Sequence, residues 1–130
     1  MTDDHGQPPA PYAPEGLPPK EEIGPAEFAA LDMRAGRVVD VEPFPEARKP
    51  SVKLRVDFGP VLGTLQTSAQ ITDYAEEDLL GRLVVGAVNL GSKRIAGFTS
   101  EFLVLGALEP DGAVQLLVVA DGVPPGAPVA

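Results

Sequence analysis

The chain alternates most cleanly over Val52–Phe58. Val52, Leu54, Val56 and Phe58 fall on one side of this stretch, and Lys53, Arg55 and Asp57 on the other. A period of two predicts a half-buried strand, because successive side chains of a strand point to opposite faces. Arg37–Glu42 has β-branched content and partial alternation, and predicts an earlier strand. Asp32 and Gly36 flank its entry, and Pro43 and Pro45 end it. Gly59-Pro60 reads as a turn and Gly63–Ser68 as a third strand. Asp73–Leu80 then reads as a helix, with Asp73 at the N-cap, Glu76 at the capping-box distance and Gly81 just past the end. Leu83–Val88 is a nearly continuous apolar run, as expected of a strand buried on both faces. Phe102–Leu108 predicts a fifth strand. Gln115–Val119 predicts a further one beyond the turn Pro110-Asp111-Gly112. Upstream, Pro25 opens a short helix to Leu31 that sets Phe28 and Leu31 on one face.

Three strands, a helix and two strands is the order of an all-β OB-fold, a five-stranded Greek-key barrel with its helix between strands 3 and 4. Here it carries a short N-terminal helix and a C-terminal extension. A small SH3-like barrel or an open sandwich with one helix gives a similar pattern. At 130 residues the chain holds one ordinary domain. Residues 1–24 are Pro-rich and poor in apolar side chains, so they cannot bury enough surface to offset their ordering entropy. They are expected to form a disordered acidic arm, leaving 25–130 as the domain. The arm lacks the basic start and apolar core of a signal peptide. No apolar run approaches membrane-spanning length. The expectation is a cytoplasmic protein without membrane insertion.

Composition narrows the chemistry. The chain has no cysteine and one histidine, His5, in the arm. Thiolate metal sites, Ser-His and Cys-His catalysis and His-cluster metal sites are thereby excluded. No catalytic residue, metal or cofactor is expected. The net charge of −9 argues against nucleic acid, but its distribution weakens the objection. Residues 1–27 hold six acids and one base, a balance of −5, and the other thirteen acids and nine bases leave −4. The bases fall in groups: Arg34 with Arg37, Arg48-Lys49 with Lys53 and Arg55, and Lys93-Arg94. Phosphate responds to potential within about 8 Å at physiological salt, more than to total charge.

The strongest candidate site is Asn89–Leu105. It places Lys93-Arg94 in a glycine-bearing loop after the buried fourth strand and returns through Gly97 and Ser100-Glu101. Asn89 has the amide chemistry to read a base edge or to hold a loop, and Ser100 offers a donor and two acceptors beside it. Ser68 and Gln70 could bond bases and sugar hydroxyls, or cap the following helix. Arg34 could meet phosphate, or pair with Asp32. Gly36 reads as a backbone requirement of a tightly curved strand. Phe98 could stack a base or enter the core, and Tyr74 is expected to pack. With so few aromatics, recognition of folded RNA shape is favoured over a stacking-rich single-strand binder. Val114–Val119 and the tail to Val129 are more apolar than a small barrel needs, which marks an interface.

Several blocks together carry a resemblance. They are Asp32-x-Arg34-x-Gly36-x-Val38, Phe44-Pro45-Glu46-Ala47-Arg48, Lys53-Leu54-x-Val56-Asp57-Phe58-Gly59, Ser68-Ala69-Gln70-Ile71-Thr72, Asn89-Leu90 and Arg94-Ile95-Ala96-Gly97-Phe98-x-Ser100-Glu101. From about Phe28 onward the chain resembles the tRNA-binding OB-fold family, and is most similar to its CsaA-like group of secretion-related chaperones. Phe102 stands where many members carry Met, as in that group. The resemblance implies a non-catalytic homodimer that binds tRNA, with Lys93, Arg94, Asn89, Ser68, Gln70, Ser100 and Arg34 as contacts. The alternative it implies is a chaperone that takes unfolded or exported polypeptides on apolar surface.

Overall fold

A computed structural model describes residues 10–130. His5, Asp3, Asp4 and the rest of residues 1–9 of the expected arm lie outside the described residues. After a 3-10 turn at Pro14–Gly16, helix α1 spans Pro25–Ala30. Strand β1 runs Met33–Pro43, β2 Val52–Asp57 and β3 Thr64–Ala69. A single helical turn α2, Gly59–Leu62, joins β2 to β3, where a plain turn was expected. Helix α3 spans Glu76–Leu79 and strand β4 Leu83–Ala87. Then come β5 Lys93–Ile95, β6 Phe98–Ser100, β7 Leu103–Val104, β8 Gly106–Leu108 and β9 Val114–Leu116.

The main sheet is antiparallel with order β3-β2-β1-β4-β7. It curls into a nearly closed barrel, the OB-type architecture that the strand order predicts, with the helix between the third and fourth barrel strands. β1 is the strand that bends. Its first half pairs with β4, from Met33 opposite Ala87 to Arg37 opposite Leu83. Its second half pairs with β2, and the register shifts between Val38 and Asp40. A bulge of this kind leaves one residue unpaired and sharpens the local bend. The residue between, Val39, faces out and is exposed.

Side-chain bonds and one backbone bond, rather than a continuous ladder, close the barrel between β3 and the segment before β7. The buried Thr67 hydroxyl donates to the Phe102 carbonyl at 2.7 Å and shares a 2.9 Å hydrogen bond with Ser100. Gln66 Nε2 donates to the Thr99 carbonyl at 2.9 Å, and its backbone N–H donates to the Glu101 carboxylate at 3.0 Å. The Glu101 N–H returns to the Gln66 carbonyl at 2.8 Å.

Inside, the apolar face of β2 delivers Leu54 and Val56, and Phe58 follows at its end, all buried. They meet Val38, Val41, Val84, Ile71, Leu79, Phe102 and Leu116 in one core. The Phe58 and Phe102 rings pack edge to face, 4.9 Å between centroids at 84°, a geometry that aromatic quadrupoles favour. Two glycines make the space. A Cβ on Gly36 would lie 2.5 Å from Val56 Cγ1 and 2.7 Å from the Phe58 ring. One on Gly86 would lie 2.7 Å from Phe58 and 2.9 Å from Phe102. Neither glycine has positive φ, so the reason for Gly36 is room for a ring rather than backbone freedom in a curved strand. Phe102 is spent in this core.

Three expectations need correction. The helix over Asp73–Leu80 shrinks to Glu76–Leu79, with Ala75 at the N-cap and no side-chain capping bond. Ile71 and Tyr74 are claimed by tertiary packing instead. Ile71 is buried, and the Tyr74 hydroxyl accepts from the Leu116 N–H at 3.0 Å. The strand over Phe102–Leu108 divides: Leu103–Val104 pairs with β4, and after Leu105 the chain leaves the sheet to pair β8 with β9. The extra strand is Val114–Leu116 rather than Gln115–Val119. Residues Pro124–Val129 turn back along β1. Gly126 donates to the Ala35 carbonyl at 2.8 Å, Ala35 to Ala127 at 2.9 Å and Val129 to Met33 at 2.8 Å. Among the described residues, no helix is long and apolar enough to cross a membrane.

Gly86→Ala should destabilise the domain by about 1–3 kcal/mol, the usual effect of overpacking a close-fitted core. Gly122→Ala, where a Cβ meets nothing within 4 Å, should stay within about 0.5 kcal/mol. Urea denaturation of both variants checks the pair.

Candidate nucleic-acid interface

Lys93 and Arg94 do not sit in an irregular loop. They form β5 of a short hairpin, with Lys93 opposite Ser100, Arg94 opposite Thr99 and Ile95 opposite Phe98. The turn is Ala96-Gly97, with φ of 47° and 80°. Two successive positive φ values mark the type I′ turn that matches the twist of a hairpin. Ala-Gly is a weaker sequence signal for it than Asn-Gly, which is why the hairpin reads as a loop. Both basic side chains are exposed, and Arg94 donates to the Gly97 carbonyl at 3.3 Å.

A second loop, between β1 and β2, faces the hairpin. Phe44 anchors it and is buried, and the Ser51 hydroxyl braces it by donating to the Lys49 carbonyl at 2.9 Å. Phe44 meets Phe98 of the hairpin edge to face, with centroids 5.4 Å apart. The Lys53 ammonium lies 4.7 Å from the Phe44 ring centre and 5.1 Å from that of Phe98. A cation within about 6 Å of an aromatic face is attracted by the ring quadrupole. Lys53 therefore clamps loop to hairpin. Phe98 is half-buried in this clamp and stands apart from the main core.

Between the two walls runs an open groove of about 370 Å³, lined by Arg48, Lys49, Ser51, Ser68, Gln70, Lys93 and Arg94 together with Ala47 and Ile95. Four cationic side chains converge here and no acidic residue lines it. Like charges gathered in a cleft focus potential far beyond what net charge suggests. Four of the sequence-predicted residues, Lys93, Arg94, Ser68 and Gln70, meet in this groove. Neither Ser68 nor Gln70 caps α3, whose N-cap is Ala75. Arg48 and Lys49 stand out in the sequence only as a basic pair in a motif-bearing loop, and the fold is what brings them opposite Lys93-Arg94.

The other three candidates lie outside the groove lining. Asn89 holds a junction: its Oδ1 accepts from the Asp32 N–H at 2.9 Å and its Nδ2 donates to the Ala30 carbonyl at 2.7 Å, tying α1 to β1. Arg34 pairs with Asp32 through two parallel bonds of 3.0 and 3.2 Å. That hydrogen bonding raises its pKa above the ordinary guanidinium value. Ser100 serves the barrel closure through Thr67 and the Ser68 N–H. Among the described residues, no group of three or more His, Cys, Asp and Glu side chains is placed to hold a metal ion.

The putative tRNA binding domain family matches residues 33–128. The chain belongs to that family. Among solved structures, the CsaA chaperone protein of Picrophilus torridus shares 42% identity at a TM-score of 0.79, over 84% of this chain and 100% of that one. A CsaA chaperone of Bacillus anthracis shares 44% at the same TM-score, over 85% and 100%. The methionine–tRNA ligase of Porphyromonas gingivalis is 33% identical over 115 residues, 88% of this chain. This member of the family spans only 17% of that ligase's length.

Asn89→Ala should lower stability by about 1 kcal/mol through its two backbone bonds. Lys93→Ala, which removes an exposed side chain, should stay within about 0.5 kcal/mol. Denaturant titration of each variant distinguishes a junction residue from a groove residue.

Proposed function

We propose that the protein is a non-catalytic tRNA-binding protein of the cytoplasm that acts as a homodimer. The four-cation groove on an otherwise acidic chain carries this reading. Arg48, Lys49, Lys93 and Arg94 hold phosphates, and Ser68 and Gln70 supply directional hydrogen bonds. Asn89 and Ser100 act on the ligand through the backbone they hold in place, and Arg34, paired with Asp32, offers a further phosphate contact outside the groove. With one histidine and no cysteine, the chain has few groups suited to covalent or acid–base chemistry near neutral pH.

Dimerisation is supported by a separate face. Leu117, Val118, Val123 and Val129 line an apolar depression of about 420 Å³ that reaches Ala35 and Val85 of the barrel. Val118 is 87% exposed. Contiguous apolar surface of this kind is characteristic of interfaces. The same face also supports a second reading, a chaperone that takes unfolded or exported polypeptides, and the two CsaA chaperone structures favour it as the runner-up. Salt separates the readings, since phosphate binding weakens steeply with salt and apolar binding does not.

Lys93→Ala with Arg94→Ala should weaken tRNA binding and flatten the slope of log affinity against log salt by roughly 1–2. Gel-shift titration at two salt concentrations measures both. An unchanged affinity and slope would remove the groove from the interface. Val118→Asp should convert a dimer to a monomer in light scattering without loss of fold. A parent protein that is already monomeric at micromolar concentration would count against the dimer.

A further inference from the structure

Next to the basic groove lies a second depression, of about 410 Å³, with a different character. Its walls include Ile71, Leu103, Leu108 and the ring of Tyr12. Ser68 and Gln70 line both depressions. A ligand that crosses this shared rim passes from cationic surface to apolar surface within one pair of residues.

Tyr12 is unexpected there. It precedes the family match, which begins at residue 33, and the sequence assigns it to the arm. Its backbone N–H donates to the Pro110 carbonyl at 3.1 Å. The 3-10 turn that follows is closed by Gly16 donating to Ala13 at 2.9 Å and Leu17 to Pro14 at 3.2 Å. The ring lies beside Gly112, 3.7 Å from where a Cβ there would stand, and the residue remains 39% exposed. The backbone is tied to the β8–β9 turn and the side chain stays accessible, which suits an aromatic platform.

We propose that this depression takes the base of one unpaired nucleotide of the bound RNA, stacked on Tyr12, while its phosphates lie in the basic groove. The inference rests on the tRNA-binding reading and deepens it. A nucleotide joins an anionic phosphate to a flat ring with stackable π faces across so short a span. The Ser68 hydroxyl and Gln70 carboxamide at the rim can bond the sugar or the base edge. Base–aromatic stacking tolerates any base, because every base has a π face. The stacking therefore selects for an unpaired nucleotide rather than for a sequence.

The test uses the full chain and short single-stranded RNA, intact or carrying one abasic position moved along the strand. Tyr12→Ala should weaken binding of the intact strand about five-fold or more, the lower end for loss of one stacked base, with an unchanged salt slope. Tyr12→Phe, which keeps the ring, should bind like the parent. For the parent protein, one abasic position should cost a similar factor, and for Tyr12→Ala that position should cost nothing more. If Tyr12→Ala and the abasic strands all bind at parental affinity while Lys93→Ala with Arg94→Ala weakens binding, the base site is wrong and the tRNA reading stands. If the parent protein binds no RNA at low salt, both fall. If Tyr12→Ala spares RNA binding but reduces binding of an unfolded client protein, the depression holds polypeptide and the proposal is overturned.

Discussion

The Phe58 ring is the constraint on which the rest of the barrel depends. It sits at the end of β2 and lies against β1 at Gly36, β4 at Gly86 and the ring of Phe102. Register puts Gly86 opposite Arg34 and Gly36 opposite Val84, so the two missing side chains open one pocket across paired strands. Close-packed interiors tolerate little change in volume. The same contact sets the position of Phe102. Because the carbonyl of Phe102 accepts from Thr67, it also sets where the barrel closes.

Closure in turn positions the candidate interface. The Gln66 and Thr67 bonds to residues 99–102 fix the base of the β5–β6 hairpin. The Phe44–Lys53–Phe98 clamp fixes its distance from the opposite loop. The cationic side chains project from these two supports into solvent, where water screens their mutual repulsion. The chain thus keeps its acidic balance while presenting a positive strip. Rigid supports with exposed tips let the groove present charge without first ordering its walls.

The strands were legible where one face is buried and the other is not. Val52–Phe58 shows this best, and Leu83–Val88 shows the signature of burial on both faces. Both depend on local periodicity, which survives into the structure. The helix after β3 is shorter than its sequence suggests because Asp73 and Glu76 imitate a capping box, while the course of the chain is set by Ile71 and Tyr74 reaching distant partners. The hairpin was hidden by its Ala-Gly turn. In the site, Lys93-Arg94 was visible as charge out of keeping with its surroundings. Arg48-Lys49 was visible only as composition, because nothing in local sequence says that two loops will face each other. Asn89 and Arg34 were chemically plausible contacts. Arg34 makes the local pair with Asp32 that its spacing already offers, whereas the bonds of Asn89 to Asp32 and Ala30 depend on a meeting of α1, β1 and the end of β4 that no local pattern encodes.

The C-terminal stretch along β1 has one more consequence. β2 pairs with β1 only from Arg37 onward, which leaves the first half of β1 with one flank unpaired by the sheet. Pro124–Val129 takes up that flank through bonds to Met33 and Ala35. An uncovered strand flank offers its N–H and C=O groups as a template for another chain. Two prolines and a glycine, Pro124, Pro125 and Gly126, lead the covering segment, and proline lacks the N–H that would let an edge continue to grow. The segment both masks the flank and is itself a poor template for further pairing, so this end of β1 offers no open edge to another strand.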